Sequence, residues 1–80
     1  MEFEFSKQAI KVISKMDKPT KQRIRVGIEE LPAGDVKVLQ GVHGSFRLRI
    51  GNWRILFSYI NENKILIEKI APRGDAYKGV

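Results

Sequence analysis

Three arginines near a two-residue turn are the side chains of this chain best suited to chemistry. In Phe46-Arg47-Leu48-Arg49-Ile50-Gly51-Asn52-Trp53-Arg54-Ile55-Leu56-Phe57, apolar and other residues alternate before the turn and a mostly apolar run follows it. Alternation is the period of a half-buried strand, and a glycine opening a two-residue loop suits a type II′ hairpin. That loop fixes the register: Ile50 faces Trp53, Arg49 faces Arg54 and Arg47 faces Leu56. Arg47, Arg49 and Arg54 then share one face, while Phe46, Leu48, Ile50, Trp53, Ile55, Phe57 and Tyr59 share the other. Like charges directly opposite on paired strands repel, and no carboxylate occurs from Val36 to Asn61 to relieve them. A guanidinium is a rigid fork of donors matched to phosphate oxygens, and several forks together stabilise charge building on a phosphoryl centre. The pattern is equally that of a solvated arginine face, or of arginines paired to Asp35, Glu68 or Asp75 by the fold.

Tyr77 follows Arg73 by four residues near the end of the chain. An aromatic ring beside cations can stack on an unpaired base, and a ring that merely docks on the core fits the pattern as well. Other catalytic arrangements are missing. His43 is the one histidine, so no histidine pair is available, and there is no cysteine for a disulfide or a thiolate ligand. Glu29 and Glu30 are helix neighbours that point in different directions, and no phosphate-cradling glycine loop is present. No cofactor and no metal is expected, and any catalysis must be largely electrostatic.

The elements that position these residues follow from periodicity. Glu2-Phe3-Glu4-Phe5 alternates as a strand, and Ser6 offers an N-cap to a helix running from Lys7 to about Met16. On that helix Ala9, Ile10, Ile13 and Met16 form an apolar stripe and Lys7, Lys11 and Lys15 a separate row, most simply a solvated face. Pro19 suits the first turn of a second helix, whose Ile24, Ile28 and Leu31 repeat at the helical period. The two helices are expected to pair as a hairpin, with Gly27 marking a close approach of backbone to a neighbour. Asp35 to Gly44 reads as a loop anchored by Val36, Val38 and Leu39. A three-stranded antiparallel meander follows, its last two strands running from Trp53 to Ile60 and from Lys64 to Ala71, where Pro72 ends it. The fold class is therefore α+β: strand, two-helix hairpin and three-stranded meander, with the helices on one sheet face and the arginine face open.

Eighty residues allow one domain, taken as 1–80, with one modest core. Fifteen Lys plus Arg against nine Asp plus Glu give a net charge of +6, which suits a polyanion or an acidic protein as partner. No apolar stretch approaches the roughly 18 residues needed to cross a bilayer, and Met1-Glu2-Phe3-Glu4 lacks the composition of a signal peptide. We expect a cytoplasmic protein that does not engage membranes.

The order of elements, Leu39-Gln40-Gly41 before the meander, the block Arg47-Leu48-Arg49-Ile50-Gly51-Asn52-Trp53-Arg54, and the ending Ile70-Ala71-Pro72-Arg73-Gly74-Asp75-Ala76-Tyr77 together resemble toxins of the RelE/ParE superfamily, in particular the RelE-like branch. The likeness covers essentially the whole chain. It implies the toxin of a type II toxin–antitoxin system, an endoribonuclease that cuts messenger RNA in the ribosomal A site and is held inactive by a cognate acidic antitoxin. It also implies site residues: Arg47 and Arg49 match two basic positions on one strand, Arg54 an arginine opening the next, Arg73 an arginine after the last strand and Tyr77 a tyrosine behind it. The archetypal RelE carries lysines where this chain has Arg47 and Arg49, and arginine, which stays protonated in proteins, is not a general base. The resemblance thus implies that Arg47, Arg49 and Arg54 orient the scissile phosphate, that Arg73 stabilises the phosphorane or the leaving oxygen, and that Tyr77 stacks on a base. Two alternatives share the fold: a ParE-like inhibitor of DNA gyrase, and a catalytically weak homologue that acts by binding its antitoxin and, through it, operator DNA.

Overall fold

A side-chain oxygen caps the start of each helix. In the computed structural model, which describes residues 1–39 and 44–72, Ser6 accepts a hydrogen bond from the Ala9 backbone N–H at 3.1 Å and opens α1 (Lys7–Ser14). Asp17 accepts one from the Thr20 N–H at 2.9 Å and opens α2 (Lys18–Glu29), with Pro19 in the first turn. Each bond satisfies a donor that the helix itself leaves unpaired. Hydrogen bonds from Thr20, its side chain foremost and then its backbone, hold the Asp17 carboxyl below the usual carboxylate value. α1 ends two residues earlier than its apolar period implies, in a tightened turn where Met16 N–H reaches the Ile13 carbonyl at 3.1 Å.

Five strands form one sheet: β1 (Glu2–Phe5), β2 (Asp35–Val38), β3 (Ser45–Ile50), β4 (Trp53–Asn61) and β5 (Lys64–Pro72), in the order β1-β5-β4-β3-β2. β2 through β5 are antiparallel neighbours, and β1 lies parallel to β5 with Phe3 opposite Ile65. The expectation of a loop from Asp35 is thereby corrected. Asp35-Val36-Lys37-Val38 is itself a strand paired to β3, and the meander has four strands where three were read. Val36 packs on the core from that edge, whereas Val38 is exposed. On the opposite edge Glu4 bonds Lys64 at 2.9 Å, and that contact raises the Lys64 pKa above its usual value.

The core lies on the helix side of the sheet. Ala9 from α1, Ile24 and Ile28 from α2 and Leu31 beyond it close over Leu48, Ile55, Phe57, Ile65, Ile67 and Ile70. The α2 stripe is as its spacing predicts. On α1 Ala9 is buried, but Ile10 is 56% exposed and Val12 packs on the core in its place. The reason is how the helices diverge: an open groove of about 530 Å³ separates them, lined among others by Phe3, Phe5, Ile10, Ile13, Ile24 and Ile28. They are consecutive helices on one sheet face, less closely paired than a hairpin would be. Gly27 marks the expected close approach, since a methyl there would overlap the side chain of Ile50.

Candidate functional site

The register inferred from the Gly51-Asn52 turn is present in full. Ile50 faces Trp53, Arg49 faces Arg54, Leu48 faces Ile55 and Arg47 faces Leu56. Gly51 has φ +57 and Asn52 does not have a positive φ, as a turn with glycine in its first position requires. Because Leu48 and Ile55 belong to the helix-side core, Arg47, Arg49 and Arg54 all project from the other face.

That face is less open than the sequence implies. Arg49 is exposed, but Arg47 and Arg54 retain only 9% and 8% of their accessible surface. The same face carries a second, smaller apolar cluster: Leu39, beyond the end of β2, packs against Leu56 and Ala71. Leu56 is the residue opposite Arg47 and Ala71 the one opposite Arg54, so the cluster sits beside the two buried arginines in the sheet. Leu39 anchors its segment as expected, though to this patch and not to the main core.

The electrostatics of the arginines differ. Arg47 Nη2 lies 3.8 Å from Asp35 Oδ1, a long contact to a half-exposed carboxylate that screens the pair from being strong. Asp35 itself stands opposite Arg49 on β2, and Lys37 opposite Arg47, which adds a cation to the same face. Arg54 Nη1 is buried and has no hydrogen-bond partner among the described residues. Buried polar atoms are paired in the great majority of cases, so a guanidinium nitrogen in this state calls for a ligand or a functional account. At the tip of the hairpin the Arg23 guanidinium lies over Gly51, close enough that a methyl there would meet Nη2 at 2.9 Å.

Two basic neighbours escaped the sequence reading. Arg23 reaches the hairpin only through the packing of α2, for which the Gly27 signal was the one available hint. Lys69 sits on β5 opposite Leu56, hence on the arginine face, beside a β-bulge that shifts the pairing between Leu56 and Phe57. Arg73 and Tyr77, with His43 and Gln40-Gly41, lie outside the described residues. β5 ends at Pro72, opposite Trp53 and next to the pair Arg54–Ala71. Among the described residues no group of three His, Cys, Asp or Glu side chains is arranged to hold a metal ion, and no helix is long and apolar enough to cross a membrane.

The chain as a whole is similar to solved toxin–antitoxin structures. The RelB–RelE antitoxin–toxin complex of Methanococcus jannaschii aligns over 92% of this chain and 94% of that one, with 26% identity and a TM-score of 0.74. The archaeal RelE–RelB complex of Pyrococcus horikoshii aligns over 91% and 94%, with 28% identity and a TM-score of 0.70. The intact Escherichia coli RelBE complex shares the fold, with a TM-score of 0.71 over 89% and 94% at 16% identity. No family model and no curated protein sequence matches the chain.

Proposed function

From the premise that this chain is a RelE-like toxin of the RelE/ParE superfamily, we propose that it is a ribosome-dependent endoribonuclease that cuts messenger RNA in the A site and is neutralised by a cognate acidic antitoxin. The observation that carries the reading is Arg54, buried with an unpaired Nη1 and directly opposite Arg49. A protein that tolerates two facing cations and an unsatisfied guanidinium gains something by it, and a phosphodiester satisfies both at once.

Arg49 and Arg54 grip the two non-bridging oxygens of the scissile phosphate, and Arg47 adds a third fork from two residues along β3. Cations held in a partly dehydrated apolar setting act on a phosphorane more strongly than they would in water, and they need no reorganisation as charge develops. Orientation by the ribosome supplies the alignment of the 2′-hydroxyl with phosphorus and the 5′ oxygen. Arg73, one residue past β5, is assigned to the phosphorane or the leaving oxygen, and Tyr77 to a stacked base. The net charge of +6 suits an acidic antitoxin, and the structural neighbours are complexes with RelB. Operator DNA is engaged only through that antitoxin.

One observation favours the weakly cutting alternative. The Arg47–Asp35 contact and the cover over Arg54 must yield before a phosphate is reached. The test is to express the chain from a tight promoter and map messenger cleavage against reading frame, with a supercoiling assay in parallel. Cuts in step with codons support the nuclease. Gyrase inhibition without cuts supports the ParE-like alternative, and neither effect supports a homologue that only binds.

A further inference from the structure

Within the nuclease reading, on which this step rests, we propose that Glu68 is the general base, accepting the 2′-hydroxyl proton of the nucleotide whose phosphate Arg54 holds. β5 carries a bulge between Ile67, which pairs with Phe57, and Lys69, which pairs with Leu56. Ile65, Ile67 and Ile70 all enter the helix-side core, so two residues separate the last two where strict alternation allows one. Glu68 leaves that core by alternation after Ile67, and the bulge lets Lys69 leave it as well, so both stand on the arginine side.

Glu68 is only partly exposed, and its Oε2 is buried without a hydrogen-bond partner among the described residues. Arg54 Nη1, on the neighbouring strand, is in the same condition. The two carry opposite charge, yet among the described residues no ion pair joins them. What satisfies both is a group that presents a proton donor to the carboxylate and, a bond or two away, an anionic acceptor to the guanidinium. A ribose 2′-hydroxyl beside its 3′-phosphate has that form; deoxyribose lacks the donor.

The chemistry then balances. Glu68 takes the 2′-hydroxyl proton, the 2′ oxygen forms a bond to phosphorus, and the bond from phosphorus to the 5′ oxygen breaks. The products are a 2′,3′-cyclic phosphate and a 5′-hydroxyl, whose proton comes from water. Arg47, Arg49 and Arg54 cannot accept that proton, because a guanidinium stays charged. The charged side chains sharing that face with Glu68 are Lys64 and Lys69 on its own strand, Arg54 on β4, Arg47 and Arg49 on β3, Asp35 and Lys37 on β2, and Glu2 and Glu4 on β1.

The test is single-turnover cleavage of a messenger on programmed ribosomes between pH 5 and pH 9, for the intact protein and for Glu68→Gln, which keeps the side-chain shape. We expect the rate of the intact protein to level off above neutral pH, where a carboxylate base is fully ionised, and Glu68→Gln to be slower by about 100-fold or more, with its melting temperature unchanged or raised. A 2′-deoxy nucleotide at the cut site is expected to weaken binding of the intact protein and leave that of Glu68→Gln unaltered. Glu68→Gln cutting within about threefold of the intact protein overturns the role of Glu68 and leaves the nuclease reading standing. So does an intact-protein rate that still climbs above pH 8, which marks a lysine as base; this arm decides if Glu68→Gln does not fold. An intact protein that cuts no message overturns the nuclease reading and this role together.

Discussion

Arg49 on β3 and Arg54 on β4 stand directly opposite each other, and the fold exposes the first while burying the second to 8% of its accessible surface. A face built this way separates two tasks. In the proposed function the exposed guanidinium meets a phosphate in water, and the buried one acts on it once water has been removed.

Stability and activity should therefore part at Arg54. Its unsatisfied Nη1 costs on the order of 1–3 kcal/mol in the free protein. Arg54→Met removes that cost and keeps most of the volume, so thermal unfolding is expected several degrees higher, at about 4–8 °C per kcal/mol for a domain of this size. A lower melting temperature would show that Arg54 is satisfied in the folded protein.

Arg49→Ala is expected to leave stability within about 1 kcal/mol of the parent, since it removes a like-charge pair and an exposed side chain. Its effect belongs to binding. RNA affinity falls, and the dependence of log affinity on log salt loses a slope of about 0.7, the share of one phosphate contact on a single strand. Titrations at three salt concentrations measure it, and an unchanged slope would place Arg49 off the RNA.

Asp35 lies 3.8 Å from Arg47 in a half-exposed position, and in the proposed function it competes with phosphate for that guanidinium. Asp35→Asn is expected to change stability by less than about 1 kcal/mol, as for other exposed ion pairs. RNA binding should tighten several-fold, most clearly at low salt, where the freed cation is least screened. Weaker binding would mean that Asp35 positions Arg47 and does not compete for it.

Much of this site is legible in the sequence because its determinants are local. Alternation around Gly51-Asn52 sets both the strands and their register, and one residue of slip would carry Leu48 and Ile55 out of the core. What cannot be read there depends on segments distant in sequence. Asp35 to Val38 offers only four alternating residues between polar and glycine-rich neighbours, and it becomes a strand because β3 has an edge to pair. Leu39 packs on the arginine side of the sheet, and its target, Leu56 with Ala71, looks like any strand interior. Lys69 reaches the arginine side through a single-residue irregularity in β5, which no period reveals.

The cap of α2 gives a pH dependence. Thr20 lowers the Asp17 pKa below its unfolded value, so the cap contributes fully above about pH 4 and its contribution is lost as pH falls through the folded-state pKa. Asp17→Ala should melt lower than the parent at pH 7, and the gap between them should be smaller at pH 3. A gap of equal size at both values would mean that the charge of Asp17 plays no part.

The fit of α2 against β3 rests on Gly27. Gly27→Val forces Ile50 out of its position and is expected to destabilise the protein by about 1–3 kcal/mol, with part of the loss recovered by Ile50→Ala in the same chain. Purely additive effects would show that the two residues do not touch.

The central claim is that this cationic sheet face acts on a messenger phosphodiester, and the most direct measurement is cleavage of ribosome-bound messenger by Arg54→Ala and Arg73→Ala beside the parent. Each variant is expected to cut about 100-fold or more slowly, in keeping with the loss of one group that stabilises transition-state charge. Near-native cutting by both would contradict the account.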